Sequence, residues 1–347
     1  MLESVQDPSS LPPEVFRRVL SHLPVTSLKA AVLVSQTWSR AGQDQLLWRA
    51  LHLLVREEQV YRVHQVLALP RLARLVSCTV SGPHPRPDVW EHAIRTREVE
   101  VLGQSNIKEL SLCNLWVSLL PGGCQQFAVL GCHLTCLTLS CTLVDKEAVT
   151  SLLVHLGDQE HQVLRRLTVD SLVSSTYGYG RFVDMSDVPG VALARVASRL
   201  EQLHLCRTEL STEQVVEVVQ ALSTSGAPLQ ELELSAMDLS GVPGGLLAQA
   251  VCRLARVVLH HARLTGPQLS SLLSSAGRGG RTRWLDVQYN SVEGVEGQVL
   301  QEAEGKLHKL FYTQDYDPSD EATYYDNFNG EDEDFSDYDQ EDGQWSS

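Results

Sequence analysis

A leucine pattern recurs eight times between residues 107 and 314 and restricts the fold more than any other feature of the sequence. Each unit contains L-x-x-L-x-L or a close variant, with a further apolar position five residues on. Aligned on the second leucine, the units fall at Leu110, Leu137, Leu167, Leu203, Leu232, Val257, Leu285 and Leu310. The intervals are 27, 30, 36, 29, 25, 28 and 25 residues. Repetition at such periods predicts stacked units of leucine-rich-repeat type.

The second half of each unit predicts a helix. Asp145, Ser211 and Thr265 are candidate N-caps, and Ser211 precedes Gln214 at the spacing of a capping box. Apolar residues then follow at helical spacing. A strand and a helix in each unit predict an α/β horseshoe with a parallel inner sheet and outer helices. We interpret residues 174–189 as a loop inserted in the longest interval.

Residues 11–51 predict three short helices. Pro12 or Pro13 suits a first helical turn, and Pro24 ends that helix. A segment of about 40 residues buries only part of its surface, yet this one carries Trp38 and Trp48. We therefore expect either a protein partner or the following domain to cover its apolar side chains.

The same residues resemble an F-box. The matching motifs are Leu11-Pro12-Pro13-Glu14-Val15, Leu23-Pro24, the V-C-x-x-W match Val34–Trp38 and the closing L-W-x-x-L match Leu47–Leu51. Ser35 occupies the place where an F-box usually has Cys. With the repeats that follow, the chain resembles the F-box/leucine-rich-repeat proteins as a class.

This resemblance implies a substrate receptor of a Skp-cullin-F-box (SCF) ubiquitin ligase. Such a subunit is not an enzyme: it binds a Skp-type adaptor, which links it to a cullin scaffold, and it binds a protein substrate through its repeats. The implied adaptor-binding residues are Leu11, Pro12, Val15, Leu23, Pro24, Leu28, Val34, Trp38 and Trp48.

Two alternatives to the ligase receptor stay open. One is a leucine-rich-repeat scaffold without a ligase role. The other is a receptor for a different cullin adaptor, whose S/T-L-x-x-x-C box is half met by Ser27-Leu28, with Val32 in the Cys position.

The predicted organisation has four parts. Residues 8–52 form an F-box-like helical domain, and residues 53–106 form a helical or loop linker that could include a degenerate first repeat. Residues 107–314 form about eight irregular repeats, and residues 315–347 form a disordered acidic tail.

Side chains between the leucines of each strand face away from the core. This face is either an ordinary solvated strand face or a surface that binds a protein substrate. The residues predicted to bind substrate are Arg165, Arg166, His204, Arg207, His260, His261, Trp284 and Tyr289.

The sequence predicts no catalytic residue, cofactor or metal. Cys132, Cys136 and Cys141 lack the spacing of zinc ligands. No phosphate loop, dinucleotide fingerprint or nucleophile elbow is present in the sequence.

Charge and hydropathy exclude other classes of protein. Outside residues 315–347 the chain has 30 acidic and 28 basic residues, which argues against nucleic-acid binding. No apolar run approaches the ~18–20 residues that cross a bilayer. Eight cysteines without a C-x-x-C pair are typical of a reducing compartment. We expect a soluble intracellular protein, cytoplasmic or nuclear.

Residues 315–347 hold 13 Asp or Glu, seven aromatic residues and no Lys or Arg. This composition cannot bury enough apolar surface to fold alone. The segment is either a solubilising tail or an intramolecular competitor for the Arg- and His-bearing face of the repeats.

Overall fold

The structure is a computed structural model. It describes residues 12–23, 27, 30–31, 33–42, 44, 47, 49–54, 75–82, 93–119, 121–144, 146–158, 163–171, 173–174, 185, 187–224, 226–277 and 281–313.

The described chain is a mixed α/β structure built on a parallel sheet of ten strands. Its strands, in spatial order, are β1 (Ala50–Leu54), β2 (Ser77–Ser81), β4 (Glu109–Cys113), β6 (Cys136–Ser140), β8 (Arg166–Asp170), β10 (Gln202–Cys206), β11 (Glu231–Ser235), β12 (Arg256–Val258), β13 (Trp284–Asp286) and β14 (Lys309–Phe311). The predicted parallel sheet is therefore confirmed, with each of the eight aligned leucine positions on a strand.

The repeat positions pair laterally without slippage. Leu110 pairs with Leu137, and the same register continues strand by strand to Leu310. Side chains alternate along the longer strands, with the second and fourth residues buried. Because strand side chains alternate between faces, the leucines form one continuous core and the intervening residues form an open face.

Short strands and helices complete the units. A second parallel sheet consists of β3 (Ala93–Arg95), β5 (Trp116–Ser118), β7 (Leu143–Val144) and β9 (Val173–Ser174). The helices are α1 (Pro13–Ser21), α2 (Gln36–Gly42), α3 (Thr96–Gly103), α4 (Pro121–His133), α5 (Lys146–Asp158), α6 (Gly190–Ala197), α7 (Thr212–Thr224), α8 (Gly244–Val251), α9 (Gly266–Gly277) and α10 (Gly297–Glu304).

The predicted capping box at α7 is confirmed. The Ser211 amide donates to Gln214 Oε1 at 2.7 Å, and the Gln214 amide donates to Ser211 Oγ at 3.3 Å. Gln214 Nε2 also donates to the Met185 carbonyl oxygen at 2.8 Å. Gln268 repeats the arrangement at α9, where its Nε2 donates to Leu239 O at 2.8 Å. Each glutamine therefore caps its own helix and links it to the preceding unit.

A left-handed residue ends seven consecutive strand segments at the same repeat position. These residues are Asn114, Cys141, Ser171, Arg207, Ala236, His261 and Tyr289, with φ between 46° and 59°. The backbone N–H groups of the first six donate to a carbonyl of the next unit. The turn is therefore set by stacking between units, because only two of the residues are Asn or Ser.

Two strands lie where the sequence pattern indicated other structure. Residues 50–54 form β1, although the sequence indicated a helix to residue 51 and a helical or loop linker from residue 53. Ile94, in the same predicted linker, lies in β3. Cys78 in β2 pairs with Leu110, as the aligned leucines pair with one another, which fits the degenerate first repeat considered for residues 53–106. Leu51 and Cys78 are 4% and 1% exposed, and burial explains their place in the sheet.

Other predicted features fall partly or wholly outside the described residues. Asp145, most of the 174–189 loop and the 315–347 tail are among them. Within the described helices, none is long and apolar enough to cross a bilayer.

Candidate functional site

The first helix of the chain is amphipathic. Phe16 and Leu20 are 2% and 1% exposed, whereas Val15 and Val19 are 42% and 45% exposed. Residues four apart lie on one helix face, so α1 buries one apolar stripe and presents another to solvent. Pro12 caps the helix, and its carbonyl oxygen accepts from the Val15 and Phe16 amides at 3.0 and 3.1 Å.

Trp38 on α2 packs against the buried face of α1. Its ring lies edge-on to that of Phe16, with centroids 5.3 Å apart, and it packs half-buried against the core. Leu23 is half-buried in the same way. These two predicted adaptor-binding residues, Trp38 and Leu23, therefore pack against the chain's own core.

More apolar surface is exposed just before α2. Leu33 is 85% exposed and Val34 is 68% exposed. Together with Val15 and Val19 they form the exposed apolar set of the N-terminal segment. Leaving four such side chains in water has a free-energy cost that a protein partner would remove. Leu11, Pro24, Leu28 and Trp48 lie outside the described residues.

Residues 8–54 match a family model described as F-box-like. F-box domains generally bind Skp-type adaptors. We call residues 8–54 the F-box-like segment. The segment ends at the last residue of β1, so its final five residues lie in the large sheet. No curated protein matches the chain with significance.

The open face of the sheet next to the F-box-like segment is arranged in rows. The first row, formed by the opening residues of successive strands, runs through Glu109, Cys136, Arg166, Gln202, Glu231, Arg256, Trp284 and Lys309. The second row includes His204, and His260 follows the end of β12. Arg165 precedes β8, while Arg207, His261 and Tyr289 occupy the left-handed positions. The structure thus places the predicted substrate-binding residues along one face and at the two ends of its strands, with Arg165 at the N-terminal end.

Carboxylates neutralise much of the positive charge on this face. Arg166 Nη2 lies 2.7 Å from Glu109 Oε1, and Arg256 Nη1 lies 2.6 Å from Glu231 Oε1. Both pairs join residues of the first row. The face therefore carries ion pairs that connect different strands. Each pair contributes little to the free energy of folding because its side chains are exposed.

His204 and His260 also lie beside acidic residues. His204 lies 3.4 Å from Glu231 and 3.8 Å from Glu233. His260 Nε2 lies 2.7 Å from Asp286 Oδ1, whose side chain is 12% exposed. A ligand that contacts either histidine would therefore also meet a carboxylate.

The last strands differ from the rest of the face. Trp284 lies between Arg256 and Lys309 in the first row, with the Arg256 guanidinium 5.0 Å and the Lys309 ammonium 4.4 Å from its ring centroid. The Phe311 ring lies 5.4 Å away and is 36% exposed. We call Arg256, Trp284, Lys309 and Phe311 the Trp284 patch. The attraction between these two cations and the Trp284 ring holds the side chains of the patch together. Arg256 and Lys309 keep their positive charge in this arrangement.

A second aromatic pair lies at the C-terminal edge. The rings of His261 and Tyr289 stack at 4.4 Å with an interplanar angle of 3°. Tyr289 is 42% exposed, so this stack is accessible. Both residues have positive φ, which turns their side chains away from the strand direction.

Three of the described thiols, those of Cys206, Cys136 and Cys132, are poorly suited to nucleophilic catalysis. Burial raises the pKa of Cys206 strongly, and the carboxylates of Glu233 and Asp170 raise it further. Burial likewise raises the pKa of Cys136 and Cys132. A nucleophilic cysteine needs the opposite shift. Among the described residues no His, Cys, Asp or Glu group has the arrangement of a metal site.

Sequence reasoning missed several features of these surfaces. It did not include Val19 or Leu33 among the adaptor-binding residues, although both are apolar residues near matched motifs. It also missed the role of Lys309 and Phe311 as neighbours of Trp284. Aligning the strand-opening positions of the last three repeats would have found that cluster.

Proposed function

We propose that this chain is the substrate-recognition subunit of an SCF-type ubiquitin ligase. In this proposal the F-box-like segment binds a Skp-type adaptor and, through it, a cullin scaffold. The remaining chain forms a leucine-rich-repeat horseshoe whose open face binds a protein substrate. The subunit supplies proximity between the substrate and the ubiquitin carrier, and no catalytic group of its own.

The observation that carries the proposal is the pattern of buried and exposed apolar side chains in the F-box-like segment. It folds with Phe16 and Leu20 buried while Val15, Val19 and Val34 stay exposed. Apolar burial against a helical partner is the usual source of affinity for such a surface.

The face of the large sheet supports the second half of the proposal. It is polar, its strands pair in one continuous register, and it carries the exposed aromatic side chains of Tyr289 and Phe311 beside the half-buried Trp284. Aromatic residues within a polar rim are typical of protein-binding surfaces. The expected partner is therefore a protein segment.

Co-purification tests the adaptor half. The full chain, expressed with a tag in cells, should recover a Skp-type adaptor and a cullin in comparable amounts. A variant with Val15→Asp and Val34→Asp should lose both proteins. Val191→Asp on α6 is the matched control, because Val191 is 51% exposed and lies outside the F-box-like segment.

Two outcomes would reject the proposal. Recovery of an elongin-type adaptor in place of the Skp type would favour a different cullin receptor. Recovery of neither adaptor would leave a repeat scaffold without a ligase role.

A further inference from the structure

The Trp284 patch is a local concentration of positive charge on a face that is otherwise ion-paired. The last three strands open with Arg256, Trp284 and Lys309, and Arg283 immediately precedes Trp284. No carboxylate occupies these positions, whereas Glu109, Glu201 and Glu231 open or precede earlier strands. Asp286, which pairs with Phe311 in the sheet, is largely buried and adjoins His260. The exposed charge at these opening positions is therefore positive.

The cations here are also available to a ligand. Arg283 and Lys309 are exposed, and within the described residues neither makes an ion pair. Lys306 is exposed two residues before His308 at the start of the same strand segment. Arg256 pairs with Glu231 at 2.6 Å, and Lys309 lies over the Trp284 ring without an acidic partner among the described residues. Trp284 Nε1 is buried and has no hydrogen-bond acceptor among the described residues, so a ligand would contact the exposed part of the ring instead.

The complementary segment is part of the same chain. Residues 315–347 carry 13 acidic and seven aromatic residues without one Lys or Arg. They follow Thr313, which lies two residues after Phe311 of the patch, and the Tyr289 amide donates to Thr313 Oγ1 at 3.1 Å. The segment is thus tethered beside the patch, where short flexible links give effective concentrations of order mM.

The reach of the tether is sufficient. An unstructured chain spans about 5–6 Å times the square root of its residue number, so 20 residues extend about 25 Å. Adjacent strands lie about 4.8 Å apart, and the patch covers three of them. Acidic residues from 326 onward can therefore reach every side chain of the patch.

We propose that residues 326–342 dock on the Trp284 patch. Carboxylates of this segment pair with Lys309, Arg283 and Lys306, and an aromatic residue packs on the exposed part of Trp284 and Phe311. A substrate that uses this end of the open face must displace the segment. The inference concerns the face assigned above to substrate binding, but its test does not involve the adaptor.

Zero-length carbodiimide cross-linking of the full chain tests the inference, because this reagent joins lysine amines to carboxylates in contact. The chain has only five lysines: Lys29, Lys108, Lys146, Lys306 and Lys309. We expect peptides from residues 326–342 to link to Lys306 and Lys309. Lys108 precedes β4 at the repeat position equivalent to His308, seven strands away, and is the internal control.

A charge reversal separates docking from simple tethering. Arg283→Glu keeps both reporter lysines and the tether but should lower the yield of these cross-links at least about threefold, as expected for reversing an exposed pair. Arg195→Glu, an exposed arginine on α6, should leave the yield unchanged. Trp284→Leu should also lower it, and circular dichroism checks that both variants fold.

Three results would overturn the inference. The first is equal yield in the wild type and Arg283→Glu. The second is linkage of residues 326–342 to Lys108 as often as to Lys309. The third is linkage only between two copies of the chain, recognised by its dependence on protein concentration.

Discussion

The rings of Phe16 and Trp38 meet edge-on, with centroids 5.3 Å apart and planes at 86°. This contact joins α1 to α2 and explains why Val15 and Val19 are left on the outer face. Trp38 therefore stabilises the packing of the segment, and its direct contact with an adaptor stays a prediction.

Replacing Trp38 should loosen the F-box-like segment. Trp38→Ala leaves a cavity beside Phe16 and should destabilise the segment by about 2–3 kcal/mol, whereas Trp38→Phe should cost about 1 kcal/mol. Hydrogen exchange of the α1 amides measures the difference. Equal protection of α1 in Trp38→Ala and the wild type would show that the contact is dispensable.

The sequence predicted the large sheet because a leucine pattern recurs at intervals of 25 to 36 residues, which is enough for one strand and one helix. It missed the first two strands for two reasons. Leu51 also completes an F-box motif, which suggested a helix, and Cys78 replaces the aligned leucine. Both side chains are buried in the structure, which explains why they belong to the large sheet. The spacing of leucines along the sequence does not reveal this burial.

The open face was predicted less completely than the core. Periodicity identifies which residues face outward, so Arg166, His204 and Trp284 were placed on one surface. It does not identify neighbours that lie on different strands, such as two strands apart in the sheet. The pairing of Arg166 with Glu109 across 57 residues of sequence depends on the register of the sheet.

Asn290 should be the most sensitive polar residue of the repeats. It is fully buried, its Oδ1 accepts from the Ala262 and Leu264 amides at 3.1 and 3.0 Å, and its Nδ2 donates to Leu259 O at 2.7 Å. Asn290→Ala leaves these groups without partners and should lower the free energy of unfolding by roughly 3 kcal/mol. Urea titration measures it.

A matched surface change provides the control for Asn290. Gln298 is exposed on α10 and bonds only Glu302 in the described structure. Gln298→Ala should change the free energy of unfolding by less than about 0.5 kcal/mol. Similar losses for both variants would contradict the role given to Asn290.

Two glycines at helix starts should respond oppositely to alanine. A Cβ at Gly266, the first residue of α9, would collide with the backbone oxygen of Glu293, whereas a Cβ at Gly297, the first residue of α10, meets nothing within 4 Å. Gly266→Ala should cost about 2 kcal/mol, and Gly297→Ala should be neutral or stabilising by up to about 1 kcal/mol. Thermal unfolding compares them, and an unaffected Gly266→Ala would contradict the packing.

Alkaline pH should weaken the sheet through Cys78. Burial raises the pKa of this thiol to about 12 in the folded state, while an unfolded cysteine titrates near 8.5. Both states hold the proton below pH ~8.5, so the thiol has no pH effect there. Above it, only the unfolded state releases the proton, and stability falls by about 1.4 kcal/mol per pH unit until pH 12.

The difference between wild type and Cys78→Ala isolates this effect. The variant should be less stable at pH 7 because a cavity remains, but its stability should fall less steeply between pH 8.5 and 10. Cys252→Ala, which removes a half-exposed thiol, controls for the loss of a cysteine. Parallel pH profiles for wild type and Cys78→Ala would contradict the assignment.

The most direct test of the account is the affinity of the purified full chain for a Skp-type adaptor, measured by isothermal titration calorimetry. We predict a dissociation constant below about 1 µM for the wild type. Val34→Asp should weaken it at least tenfold, and Val191→Asp should leave it unchanged. Absence of binding by the folded wild-type chain, or equal affinity in Val34→Asp and Val191→Asp, would contradict the assignment of the exposed valines to adaptor binding.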